Sequence, residues 1–128
     1  MTIKLIIALI SINTAQFQLP KGLLRSVCTI ESSLKPMAVH HDDGGSDSLG
    51  LCQIKIETAK EFGFRGTRRQ LMNPYWNTYY AAKYLKHQIA RYHGNLSEAL
   101  VAYNWGSSHG VTSDSYSKKI ISLWKGQK

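Results

Sequence analysis

Apolar residues recur at helical spacing through most of this chain. Leu19, Leu23, Leu24, Val27, Cys28 and Ile30 follow that period and predict a helix from near Pro20 to Leu34, stopped before Pro36. The stretch HHDDGGSDS, His40 to Ser48, is polar and glycine-bearing, which predicts a loop with room for a short hairpin. A short helix is expected from about Glu57 to Phe62, ended by Gly63, and FRGTRRQ reads as a basic connection. The clearest element opens with Asn73 as N-cap and Pro74 in the first helical position, and stops at Gly94. Within it Tyr80, Ala81, Tyr84, Leu85, Gln88, Ile89 and Tyr92 form a broad stripe. Leu96, Leu100 and Tyr103 share the face of a further helix that runs into AYNWG. A last helix is expected from Ser113 to Trp124. Strand signals do not exceed a few residues, so the fold class is mostly α with at most a small β-hairpin near residues 40–55.

The amino terminus leaves two readings open. MTIKLIIALISINTAQ carries one lysine, an apolar stretch from Leu5 to Ile12, and a small residue at Ala15. Residues 1–15 are expected to be a secretory leader, with the domain over 16–128; the alternative is a buried N-terminal helix of that domain. The apolar stretch is shorter than the roughly 20 residues a membrane span needs, so no stable span is expected.

At 128 residues, 43% of them hydrophobic, the chain suits one domain with one core. Its formal charge of +8 favours a polyanionic partner without choosing among nucleic acid, anionic membrane and anionic cell wall. Helix-turn-helix and RNA-binding signatures are absent from the sequence, so nucleic acid is not expected as the partner. Adjacent His40, His41, Asp42 and Asp43 lack a zinc spacing, and DDGGSDS lacks the calcium-loop pattern, so no metal and no cofactor are expected. Cys28 and Cys52 are either a disulfide, allowed if the domain is exported, or two buried thiols.

One carboxylate stands out. Glu31 lies where the first helix pattern runs out, on nearly the same face as Leu24, Val27 and Cys28. Burial beside a core and the negative end of a helix both disfavour the charged form, and so both raise the pKa. A carboxylic acid that stays protonated near neutral pH can deliver a proton to a leaving glycosidic oxygen. Taken by itself, the residue reads more readily as a partly exposed structural glutamate.

Four segments in order change that balance: ESSLKPMAV, SLGLCQIKIETAKEFG, NPYWNTYYAAKYLKHQIARYHGN and ALVAYNWG. Together they resemble the lytic transglycosylases of the soluble (SLT) and goose-type lysozyme-like superfamily, over roughly Leu19 to Trp124. The resemblance implies a lysozyme-like fold, a peptidoglycan substrate and Glu31 as acid and then base. It implies substrate-binding positions at Ser32, Ser48, Gly50, Gln53, Tyr103 and Asn104, with the Tyr103 hydroxyl approaching the glutamate and the Gly50 turn bringing backbone close to the ligand. Cys52 stands where the family usually has Met, and Trp105 where a small residue is common. Trp105 either stacks on a sugar ring or closes the core, and the core is the favoured reading. A Cys28–Cys52 bridge would tie the glutamate helix to the glycine turn.

On this reading the protein is an exported or virion-associated monomer that cleaves glycan strands to 1,6-anhydromuramic ends. A goose-type hydrolase would need a second carboxylate, for which Asp42, Asp43 and Asp47 are the candidates. A non-catalytic wall-binding module would keep the groove without turnover.

Overall fold

The computed structural model describes residues 1–42 and 45–127. Its elements run α1 (Ile3–Gln16), α2 (Leu23–Ser32), β1 (Val39–His40), β2 (Ser48–Leu49), β3 (Ile54–Lys55), α3 (Ile56–Glu61), α4 (Arg68–Leu71), α5 (Pro74–Arg91), α6 (Leu96–Trp105) and α7 (Ser115–Gly126). The mostly α expectation holds, and the β excursion is a three-stranded antiparallel sheet in the order β1-β2-β3. Its register pairs Val39 with Leu49 and Ser48 with Lys55.

Helix α5 is the axis of the fold, and α1, α3, α4 and α6 lie against it. It forms where its local signals say it should: Asn73 caps it by accepting from the Tyr75 N–H, and Pro74 occupies the first turn. Its buried face combines the apolar Ala81, Ala82 and Leu85 with the polar Asn77, Thr78 and Gln88. Helix α7 closes the molecule by lying on both α2 and α6. Asp114 caps it, with Ser117 completing a reciprocal capping box.

Two local expectations are corrected. Ile30 faces outward, at the edge of the α2 stripe, while Leu23, Leu24, Val27 and Cys28 are wholly buried. The basic connection contains a helical turn, α4, because Thr67 and Gln70 form a capping box that its arginines mask in the sequence. Residues 3–16 form helix α1. Ile6 and Ile10 enter the core, and the buried Asn13 amide donates to Thr78 Oγ1 at 2.7 Å and to the Tyr75 carbonyl at 3.3 Å. No helix among the described residues is long and apolar enough to cross a membrane.

Candidate active site

Helix α2 ends abruptly after Glu31 and Ser32. Ser33 and Leu34 both adopt left-handed backbone, at φ 55° and 60°, a conformation that costs roughly 1 kcal/mol or more per non-glycine residue. The reversal brings the end of α2 onto the turn that joins β2 to β3. The Ser32 hydroxyl lies 2.6 Å from the Leu51 carbonyl and 3.2 Å from that of Cys28, and it accepts from the Lys35 N–H. One turn earlier a disulfide joins Cys28 to Cys52. Of the two states open to the cysteines, the structure holds the bridge, and it ties the glutamate helix to the glycine turn.

The same turn is held from behind by Asn77 of α5. Its Oδ1 accepts from the Cys52 N–H at 2.8 Å, and its Nδ2 donates to the carbonyls of Leu49 and Leu71. Gly50 has φ 75°, and a Cβ built there would stand 2.4 Å from Asn77 Nδ2. The glycine therefore permits the approach of a side chain from α5; the residue is buried. Gln53 Nε2 donates to the carbonyls of Ala38 and Gly50. Tyr103, buried on α6, donates its hydroxyl to the Cys52 carbonyl at 2.8 Å.

A cleft of about 160 Å³ opens beside this turn. Glu31 of α2, Ser48, Gln53, Ile54 and Lys55 of the β2–β3 region and Thr58 of α3 line it, together with Tyr84 of α5 and Tyr103, Asn104, Trp105 and Gly106 at the end of α6. Of the residues expected at the site, Glu31, Ser48, Gln53, Tyr103 and Asn104 meet here. Ser32 and Gly50 do not line the cleft and brace its wall instead. Trp105, expected in the core, is 67% exposed at the rim.

Glu31 is the single carboxylate lining the cleft among the described residues. Burial pushes its pKa from 4.5 up to about 7, against the opposing pull of a hydrogen bond from Tyr116. That bond is short, 2.6 Å from Tyr116 Oη to Glu31 Oε2. The tyrosine that holds the glutamate is therefore Tyr116 of α7, whereas the Tyr103 hydroxyl is turned to backbone. Sequence reasoning missed Tyr116, which lies 85 residues away along the chain. The available signal was its position four residues before Ile120, on the inward face of α7. Burial, then the negative charge of Glu31, hold the Tyr116 phenol well above its ordinary pKa, so it remains a donor. No hydrogen bond to Glu31 Oε1 occurs among the described residues, which leaves that oxygen for a ligand.

The other acids stand apart. Asp47 pairs with His41 and Arg68, and those two hydrogen bonds, His41 first, hold its carboxyl below the ordinary range. Asp42 pairs with Lys55 at 2.7 Å. Neither lines the Glu31 cleft. Asp43 lies outside the described residues. Among the described residues, no group of three or more His, Cys, Asp or Glu side chains could hold a metal ion.

Comparison with known proteins identifies the family. The Transglycosylase SLT domain family matches residues 8–121. Invasion protein IagB of Salmonella typhimurium is 32% identical over 131 residues, covering 91% of this chain and 81% of its own length. Protein IpgF of Shigella sonnei is 30% identical over 95 residues, covering 73% of this chain and 62% of its own. In fold, the chain is similar to an inactive variant of the lytic transglycosylase Slt from Pseudomonas aeruginosa, with a TM-score of 0.77 at 21% identity. That likeness covers 94% of this chain and about a quarter, 24%, of the larger one. With its lysozyme-like fold and a family match over nearly its whole length, this chain belongs to the SLT lytic transglycosylase family.

Proposed function

We propose that the cleft cleaves the β-1,4 bond between N-acetylmuramic acid and N-acetylglucosamine in peptidoglycan, with Glu31 as its sole acid and base. The observation that carries this reading is one carboxyl group with a pKa near 7, alone in its cleft and held at one oxygen by Tyr116. Protonated Glu31 gives its proton to the leaving O4 as the bond to the muramic C1 breaks. The muramic 2-acetamido oxygen bonds C1 from the opposite face. Glu31, now a carboxylate, takes the proton of the C6 hydroxyl, and O6 displaces the acetamido oxygen at C1. The ring closes to a 1,6-anhydro end, Glu31 regains its proton, and no water is consumed.

A two-carboxylate hydrolase needs a nucleophile or a water-activating base opposite the acid. Asp42 and Asp47 are committed to Lys55, His41 and Arg68 outside the cleft, which favours the single-carboxylate route. A +8 chain whose active-site wall carries a disulfide fits work on an anionic wall in an oxidising compartment, and export belongs to the proposal.

The test is mass spectrometry of soluble fragments released from purified peptidoglycan. Fragments with 1,6-anhydromuramic ends are expected, and Glu31→Gln should lower their release by at least 10³-fold, in line with loss of an essential proton-transfer group. Reducing muramic ends would replace the proposal with hydrolysis. Undiminished release by the variant would remove Glu31 from the chemistry.

A further inference from the structure

We propose that the indole of Trp105 is the platform on which one N-acetylhexosamine ring of the bound strand stacks, with Asn104 beside it to meet that ring's polar edge. This rests on the reading of the cleft as a glycan site and assigns its outer wall. A tryptophan 67% exposed at the lip of a cleft leaves a large apolar face in water. The other two tryptophans are engaged. Trp124 donates its Nε1–H to the Lys21 carbonyl at 2.8 Å, and Trp76 sits edge-on to Tyr75 and Tyr79, with centroids 4.9 and 5.7 Å apart. No ring pairs with Trp105 among the described residues.

The backbone that carries this indole is fixed. Trp105 ends α6, and Gly106 caps the helix in the left-handed region at φ 87°, returning its N–H to the Ala102 carbonyl at 2.7 Å. The Arg91 guanidinium donates to the Gly106 carbonyl at 3.0 Å. A ring on a fixed stem, with two rotatable bonds, loses little freedom when a ligand covers it. Its negative face suits the C–H face of a pyranose, whose hydroxyls and acetamido group project from the edge. Asn104 precedes it in the chain, is exposed and lines the same cleft, so its amide is placed for those edge groups. On the β2–β3 side, Gln53 Nε2 is committed to two carbonyls and Lys55 to Asp42, so neither of these donors is free for the strand.

The test is binding without turnover. The Glu31→Gln protein is titrated with tetra-N-acetylchitotetraose by calorimetry, alone and with Trp105→Ala or Trp105→Phe added. Trp105→Ala should weaken the dissociation constant about tenfold or more, Trp105→Phe less, and the saturable change in tryptophan emission should vanish with the indole. Melting temperature should hold in both variants, because an exposed ring carries little of the fold. Equal affinity in parent and Trp105→Ala overturns the inference, as does failure of the parent to bind the tetramer. Trp105-dependent binding in a chain that releases no anhydro ends would sustain the inference and sink the proposed chemistry instead.

Discussion

Beside the Glu31 cleft the β2–β3 turn is tied down by side chains from α2, α5 and α6; at the end of α6, Asn104 and Trp105 stand in solvent. The β2–β3 turn is held by a disulfide, by the Ser32 hydroxyl, by two hydrogen bonds to the Asn77 amide and by the Tyr103 hydroxyl. The end of α6 is anchored through its backbone only, at Gly106. A proton donor must keep its geometry within a fraction of an ångström, so the wall beside it is braced. The wall that receives a strand can leave its side chains free until the strand arrives. Polar residues that look like ligand contacts are, on the braced side, mostly contacts among the protein's own parts.

The largest break in that comparison is Asn77→Ala against Asn104→Ala, the same amide removed from each wall. Without Asn77 the Cys52 N–H and two carbonyls lose buried partners, each worth about 1–3 kcal/mol. The expected loss is on the order of 4 kcal/mol and 10–20 °C in melting temperature. Asn104→Ala should leave melting within about 2 °C, because exposed side chains away from such networks contribute little. A thermal melt of both variants checks it; equal losses would erase the distinction between the walls.

Opening the disulfide comes next. The bridge spans a sequence separation of 24, for which the chain-entropy account gives about 3 kcal/mol. Cys28→Ser, Cys52→Ser or a reductant should lower melting temperature and turnover together, because the bridge joins the glutamate helix to the turn it faces. Lowered stability with unchanged turnover, measured well below the melting range, would show that Ser32 and Asn77 hold the wall without it.

Much of this was legible before the fold was known, and the gaps have a common physical cause. Helix α5 declared itself through Asn73, Pro74 and Gly94, which act on neighbours in the chain. Glu31 was singled out by its place at the end of an apolar stripe together with the four ordered segments around it. What stayed hidden depends on partners far along the chain. Asn77 in a helical pattern gives no hint that it serves backbone groups at residues 49 and 52. Gly50 and Ser32 are residue types that line ligands or brace loops, and the choice depends on which lone pairs the fold brings near. Asn13, in a stretch that reads either as a leader or as a buried helix, gives no hint of Thr78, 65 residues on. Trp105 looked like core because large aromatics usually are, and only the direction of the α6 terminus decides otherwise.

The smallest effect probes the bond that holds the acid itself, from Tyr116 on α7 to Glu31 on α2. The bond favours the carboxylate and so opposes the burial that raises the Glu31 pKa to about 7. Tyr116→Phe removes the opposing pull, and the pKa must rise further. The acid acts when protonated, so activity is present below its pKa and lost as pH rises through it. In the parent that loss is expected around pH 7, and in Tyr116→Phe at higher pH, with a lower plateau because the carboxyl is less firmly held. Stability moves in the same sense: a carboxyl whose folded pKa exceeds its ordinary value contributes fully below about pH 4.5 and loses that contribution as pH rises past about 7. A pH–rate profile of kcat/KM for parent and variant reads the shift directly. An unmoved limb would mean that the titrating group is not the one Tyr116 touches, and the assignment of the acid would pass from Glu31 to another residue.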